Sequence, residues 1–365
     1  MRKRLFIFSL TVLLVTGCTE KTDQTIENSK YLEETVIKDV KEQEINKSLT
    51  TDSANFHFVA DWLTETKIVY VEKENGLYLM KTFDMETGQS TVVYEDSSMI
   101  IDILIHPSKK YYLLHTSDNS ASAKIKIVRM DGTIHDEIIV ASTELEIEWN
   151  DIDPSLILFT AFHEDWTFDS LLYNGENKSL ELLAIEDPFP KWLGKDMIAV
   201  SHIEGHILDG GEIHTFEPAT EKWGKLEVDD VVYFDTYEES LLIVTVNEEM
   251  NAHFSIMNKD GLVRSEWMMP AISNYSEWVI PEIEWISKDT VLLPSHVEGG
   301  QLDELLSPYR LIRVTGGRQA VVADEIASGL LRCSPSGENC LTGNSAENLI
   351  DVVSAVQTSW LKLTE

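Results

Sequence analysis

Several catalytic signatures are missing from this chain of 365 residues. There is no G-x-S-x-G, so a nucleophile elbow is unsupported. No H-E-x-x-H occurs, since His163-Glu164 runs on into Asp165-Trp166-Thr167, and neither a P-loop nor a G-x-G-x-x-G cofactor fingerprint is present. Positive charge is scarce: 29 Lys and Arg face 63 Asp and Glu, a net charge of −34. That balance excludes nucleic acid, whose phosphates would be repelled, and adsorption to anionic lipid. From Asn55 onward no amphipathic helical pattern exceeds two turns, which excludes helix-based folds. With three cysteines in all, a thiol redox motif or a zinc site has too few ligands at the wrong spacing.

The one long apolar run, residues 5–16, follows Arg2, Lys3 and Arg4. It is too short to span a bilayer and has the layout of a signal peptide. The run closes on Val15-Thr16-Gly17-Cys18, which resembles the bacterial lipobox. Residues 1–17 are therefore expected to be a lipoprotein signal peptide, and Cys18 the lipidated residue, anchoring the protein on the extracytoplasmic side of the cell membrane through more than one acyl chain. Residues 18–54 are polar and nearly free of aromatics, as expected of a solvated linker. Within it Leu32, Val36 and Val40 have the spacing of a short helix.

Residues 55–365 are read as one all-β domain. Hydrophobic anchors recur at Trp62, Ile105, Trp149, Trp192, Phe234, Trp285 and Cys333, 42 to 51 residues apart. Each is followed by a small turn and a β-type run. A period of that length made only of strands marks a β-propeller, of six or seven four-stranded blades and seven by repeat count. Blade 2 shows the pattern: Ile100–Ile105, Lys110–Leu114, Lys124–Arg129 and Glu137–Val140 read as strands, with Asp131-Gly132 as a hairpin turn. Large anchors on the innermost strand should pack between blades rather than bind ligand.

The turn after the anchor recurs as His106-Pro107-Ser108-Lys109, Asp153-Pro154-Ser155 and Ser334-Pro335-Ser336-Gly337. These resemble the "SPDG" turn of TolB-type propellers. Together with the lipobox and the first repeat, Ala60-Asp61-Trp62-Leu63-Thr64 leading into Lys67-Ile68-Val69-Tyr70-Val71, the arrangement resembles the YqgU-like lipoproteins of Bacillus-type bacteria. That resemblance implies a lipid anchor, a polar spacer and a six-bladed propeller, and it transfers no catalytic residue.

A second, fainter rhythm places histidine and acid after the second strands: His115, His163 with Glu164 and Asp165, His202 with Glu204, and His296 with Glu298. Loops there belong to the face around the channel mouth. Imidazoles with carboxylates suit a divalent cation or acid–base work. The densest group, His202, Glu204, His206 and Asp209, is the candidate metal site. Asp229, Asp230, Asp235, Glu238 and Glu239 form an acidic cluster without EF-hand spacing. The first functional reading is a cell-surface binding or scaffold module taking a protein, peptide or glycan on this face. The second is an extracytoplasmic hydrolase or lyase with a metal or acid–base site at the channel mouth.

Once Cys18 is assigned to lipid, Cys333 and Cys340 remain as a pair in an oxidising setting, joined by a turn-like Ser-Pro-Ser-Gly-Glu-Asn segment. They are expected to form a disulfide. Thiol titration of the unfolded, non-reduced protein should find neither of them free; two reactive thiols from this pair would refute the bridge.

Overall fold

The computed structural model describes residues 47–365. The expected signal peptide, Cys18, the Leu32–Val40 helix and the linker as far as residue 46 lie outside the described residues. Among the described residues there is no α-helix, and strands form seven four-stranded antiparallel sheets. Blade 1 spans Phe56–Asp96, blade 2 Met99–Ala141, blade 3 Glu144–Leu183 and blade 4 Lys191–Lys225. Blade 5 spans Val231–Pro270, blade 6 Glu284–Ile326 and blade 7 Leu330–Ser359. In every blade the strands pair in chain order, and the first strands of neighbouring blades adjoin, blade 7 closing onto blade 1.

Each sheet is covered on both faces by its neighbours, so its middle strands read as continuous apolar runs. Ile68–Val71, Ile157–Phe159, Leu241–Val244 and Val291–Leu293 are buried throughout. The outermost strands meet solvent on one side and alternate instead, as in Val263–Pro270. The post-anchor turns close as expected: Lys109 N–H donates to His106 O at 2.8 Å, and Gly337 N–H to Ser334 O at 2.7 Å.

The anchors do more than fill the wedge between blades. The Trp62 indole N–H donates to Arg332 O of blade 7 at 3.0 Å. That of Trp192 donates to Glu148 O of blade 3 at 3.2 Å. In both cases the acceptor is the residue just before the preceding blade's own anchor. Trp285 donates to the Asp235 carboxylate of blade 5 at 2.9 Å, whereas Trp149 bonds within its own blade, to Pro154 O at 2.9 Å. A buried indole contributes about 2–3 kcal/mol by area alone, and the bond fixes its angle.

The folded part begins earlier than position 55. Leu49–Asp52, expected within the linker, pair in parallel with Leu361–Thr364. The signal for this strand is short, and its partner lies at the other end of the chain. Trp360 lies beneath the clasp, 1% exposed, packed with Leu49, Phe83, Met85 and blade 7's Leu349, its indole donating to Ala346 O at 2.6 Å. The Cys333 and Cys340 sulfurs are bonded at 2.01 Å across directly paired positions.

Two substitutions test this account by urea unfolding. Trp360→Ala should lower stability by about 3–5 kcal/mol, through lost burial and a cavity at the closure. Gly132 has φ +83°, and a Cβ there would stand 2.1 Å from Val93 O of the neighbouring blade, so Gly132→Ala should cost about 1–3 kcal/mol. Losses under 0.5 kcal/mol in both would contradict the packing described.

Candidate functional site

Polar chemistry gathers in two places, the inner strands and the loops of one face. The residues just before the seven anchors are Asp61, Leu104, Glu148, Lys191, Tyr233, Glu284 and Arg332. Five are charged, and because the inner strands adjoin, charges from different blades meet. Lys191 Nζ lies 3.1 Å from Glu148 Oε2 and 3.8 Å from Asp235 Oδ1. Across the ring, Arg332 Nη1 contacts Glu282, with Asp61 and Glu284 close enough to feel its charge.

Two of these carboxylates do the same structural job. Glu148 Oε1 accepts the Trp192 amide N–H at 3.4 Å, and Glu284 Oε1 accepts the Cys333 amide N–H at 3.1 Å. Each takes the backbone of the next blade's anchor. Burial pushes the Glu148 carboxyl up to about 7; Lys191 opposes the rise and Asp235 adds to it. Glu284 is raised by burial and then by Asp61, against the pull of Arg332. Lys191 is held charged by Glu148. The Glu148 side chain remains 25% accessible and Lys191 33%. Stepping back one residue from each anchor would have exposed this ring in the sequence, and the repeated Ile-Glu-Trp at 147–149 and 283–285 was its clearest sign.

The histidine rhythm does not assemble into one site. His115 lies within its strand, which runs on to Asn119, and it is buried in a polar cleft with Asp102, Glu144 and Glu146 between blades 2 and 3. His163 Nε2 pairs with Asp169 at 3.1 Å, leaving Glu164 exposed. His202 stacks on His214 at 4.8 Å and sits 3.4 Å from Glu204, in a separate pocket between blades 3 and 4. His296 lies in a third pocket, between blades 5 and 6, with Glu298 exposed beside it. His115 lies inside its second strand, His202 ends its own, and His163 and His296 lie one residue past theirs, so the four side chains do not line one opening.

Nor do the four candidate metal ligands converge. His206 Nδ1 caps the short 3₁₀ turn Ile207–Asp209 by accepting the Leu208 N–H at 3.2 Å. Among the described residues, no group of three or more His, Cys, Asp or Glu is arranged to hold a metal ion. The acidic cluster is likewise dispersed: Glu239 pairs with Lys259 at 2.6 Å and Asp229 lies 3.7 Å from Lys225, while Asp235 belongs to the inner ring.

What does gather is the loop face of blades 3 to 6. The connections between second and third strands are short and polar in blades 7, 1 and 2: residues 344–347, Asn75-Gly76 and Ser120-Ala121. In blades 3 to 6 they carry exposed apolar tips, Trp166 (93% exposed), Ile207, Met250 and Leu306 (97%). The loops between these blades add exposed Phe189 and Tyr275. All seven segments, 163–167, 184–190, 203–211, 226–230, 247–250, 271–283 and 296–308, hold at least two acids each and no lysine or arginine.

These loops brace one another. The Trp278 indole donates to Leu208 O of blade 4's loop at 2.9 Å. Ile272–Ser273 pair in parallel with Gly300–Gln301 of blade 6's loop, and the Ser273 hydroxyl donates to Gln301 Oε1 at 3.0 Å. Unlike the histidines, the tips carry no period, so the sequence holds no repeat signal for them.

Fold and loop face together define a seven-bladed propeller with one elaborated side. Residues 84–343 match the family described as "YqgU-like 6-bladed beta propeller domain", and the chain belongs to that family. The matched span takes in blades 2 to 6 whole, but only the outermost strand of blade 1 and the first two strands of blade 7. The structure counts seven sheets where the family's description counts six. The chain is 23% identical over 303 residues to the uncharacterized lipoprotein YqgU of Bacillus subtilis (strain 168), covering 79% of this chain and 80% of that relative. The crystal structure of the uncharacterized protein lmo1340 from Listeria monocytogenes EGD-e superposes with a TM-score of 0.80 at 14% identity, over 87% of this chain and 98% of that one. An oligogalacturonate lyase in complex with manganese shares the fold alone, at TM-score 0.51 and 10% identity over 81% of this chain and 85% of that one.

The inner ring makes a pH prediction. Glu148 releases its proton near 4.5 when unperturbed and at about 7 in the fold. Between those values the folded state binds more protons than the unfolded state, so this group's contribution to stability falls as pH rises. Relative to the native protein, Glu148→Gln should therefore gain stability from pH 5 to 7, by up to about 1.4 kcal/mol per pH unit. Urea unfolding of both proteins at pH 5, 6, 7 and 8 measures the difference; a flat or opposite trend would contradict the raised carboxyl.

Proposed function

We propose that the protein is a binding module, lipid-anchored through Cys18 on the extracytoplasmic side of the cell membrane, and that it docks a cationic protein or peptide segment on the loop face of blades 3 to 6. One observation carries the reading: four consecutive blades present apolar tips on a face whose loop segments hold acids and no lysine or arginine. Large exposed apolar side chains on braced loops are a feature of interaction surfaces. The excess of acids on these loops selects a positive partner and repels anionic lipid. The lipobox-like Val15–Cys18 and the lipoprotein name of the Bacillus relative support the anchor. A glycan partner has less support, since neutral sugars gain nothing from the charge.

The alternative, a hydrolase or lyase drawing a metal or acid–base pair from His202, Glu204, His296 and Glu298, has less support as a single site, because His202 and His296 line separate clefts.

Photo-crosslinking on intact cells tests the proposal. A crosslinker in place of Trp166 or Leu306 should capture a protein through a basic segment; one in place of Ala121, on a polar loop, should not. Purified, the captured protein should bind at least about tenfold more weakly to Trp166→Ala, and more weakly at 500 mM than at 50 mM salt. Equal capture from all three positions, or binding indifferent to salt, would sink the reading.

A further inference from the structure

The polar cleft between blades 2 and 3 has a volume of about 350 Å³, where one water needs roughly 10–15 Å³. His115 lines it, is 9% exposed, and is directly paired with Asp102 across the first two strands of blade 2. Among the described residues no hydrogen bond holds the imidazole, and neither ring nitrogen is sealed from solvent. Burial lowers the pKa of the ring, against the pull of Asp102, so near neutral pH it is uncharged and keeps an unmatched lone pair at the cleft. Asp102, Glu144 and Glu146 line the same space, and no lysine or arginine does. Among the described residues none of the three acids has an ion-pair partner, and Asp102 alone accepts a hydrogen bond, from the Ile103 N–H at 2.8 Å. Glu146 feels the charge of Lys191, but that ammonium lies 3.1 Å from Glu148 and is committed there.

We propose that this cleft binds a free organic amine in its ammonium form, the N–H donors shared between the acids and the lone pair of His115. Unpaired carboxylates beside an uncharged acceptor suit a cation that brings hydrogen-bond donors. The acids are not arranged to hold a bare metal ion, whereas an ammonium with three donors on a carbon chain can reach groups set apart. An anion would be repelled, and a neutral sugar would leave the charge unmatched. The cleft reaches Asn119 and Thr143, and so opens on the same face as the elaborated loops. The turn beside it, Ser120-Ala121, is short and polar, with no apolar tip for a protein segment to cover. The ligand is therefore a small molecule, and its binding does not rest on docking at blades 3 to 6.

The test titrates the full chain, ¹⁵N-labelled at histidine, with n-butylammonium and with n-butanol, which has the same carbon chain without the charge. NMR should show n-butylammonium binding about tenfold or more tightly, with the His115 ring resonances moving on binding. Asp102→Asn combined with Glu146→Gln, both at exposed positions, should weaken binding by about fivefold or more. Glu181→Gln, exposed on the outermost strand of blade 3, should leave it unchanged. Equal affinities for the two probes, no binding of n-butylammonium at about 20 mM, unmoved His115 resonances, or an equal loss in Glu181→Gln would each overturn the proposal, the last by showing only diffuse attraction to an acidic surface. A protein captured by a crosslinker at Ala121 and displaced by n-butylammonium would overturn the free amine and put a lysine side chain in the cleft. Failure here while Trp166 or Leu306 still captures a basic partner removes the amine site and leaves the docking face. Amine binding with no partner captured does the reverse.

Discussion

A propeller holds together only if each inner strand is fixed to the next one round the ring, because no sheet shares main-chain ladders with its neighbour. Here that fixing is done at one level of the ring, by the anchor and the residue before it. Indoles of Trp62 and Trp192 reach back to the preceding blade's backbone. Carboxylates of Glu148 and Glu284 reach forward to the following blade's amides. The two directions interlock between blades 3 and 4. Single bonds of this kind join blades 5 to 6, 6 to 7 and 7 to 1, so spacing there is set by hydrogen bonds as well as by apolar packing. The cost is carboxylates held away from bulk water, which Lys191 and Arg332 offset by charge.

This arrangement frees the opposite face. Since cohesion resides in the inner strands and the short turns next to them, the loops between second and third strands carry little of the fold's burden. They stay minimal where the ring is closed, in blades 7, 1 and 2. Across blades 3 to 6 they lengthen and acquire apolar tips and acids. Loops on a rigid scaffold are where recognition is placed with least penalty to stability, and the parallel pairing and indole bond among them reduce the ordering needed on binding.

Much of this was legible in residues. The anchor period marked a propeller of six or seven blades, seven by repeat count, and Pro-Ser turns marked the ends of three inner strands, because both arise from short-range geometry repeated along the chain. The Leu49–Asp52 strand was not legible, since its partner begins at Leu361 and four residues carry no period. Histidines at 115, 163, 202 and 296 recur in the sequence near the ends of second strands, but each belongs to a different blade and they sit at different points along their strands, so they do not share one cleft. The acidic, apolar loop tips were missed for the opposite reason: they share a face without sharing a register.

The clasp at the chain ends also sets an order of events. Leu49–Asp52 can find its partner only when Leu361–Thr364 has been made, and Trp62 of blade 1 waits equally for the carbonyl of Arg332. Until then blade 1 has one bare apolar face, with Ile68, Tyr70 and Phe83 open to any competing strand. Pairings so distant in sequence form late, and surfaces left waiting for them are prone to aggregate. The excess of acid over base suits such a delay, keeping partly finished chains apart by mutual repulsion while the last blade is still being synthesised.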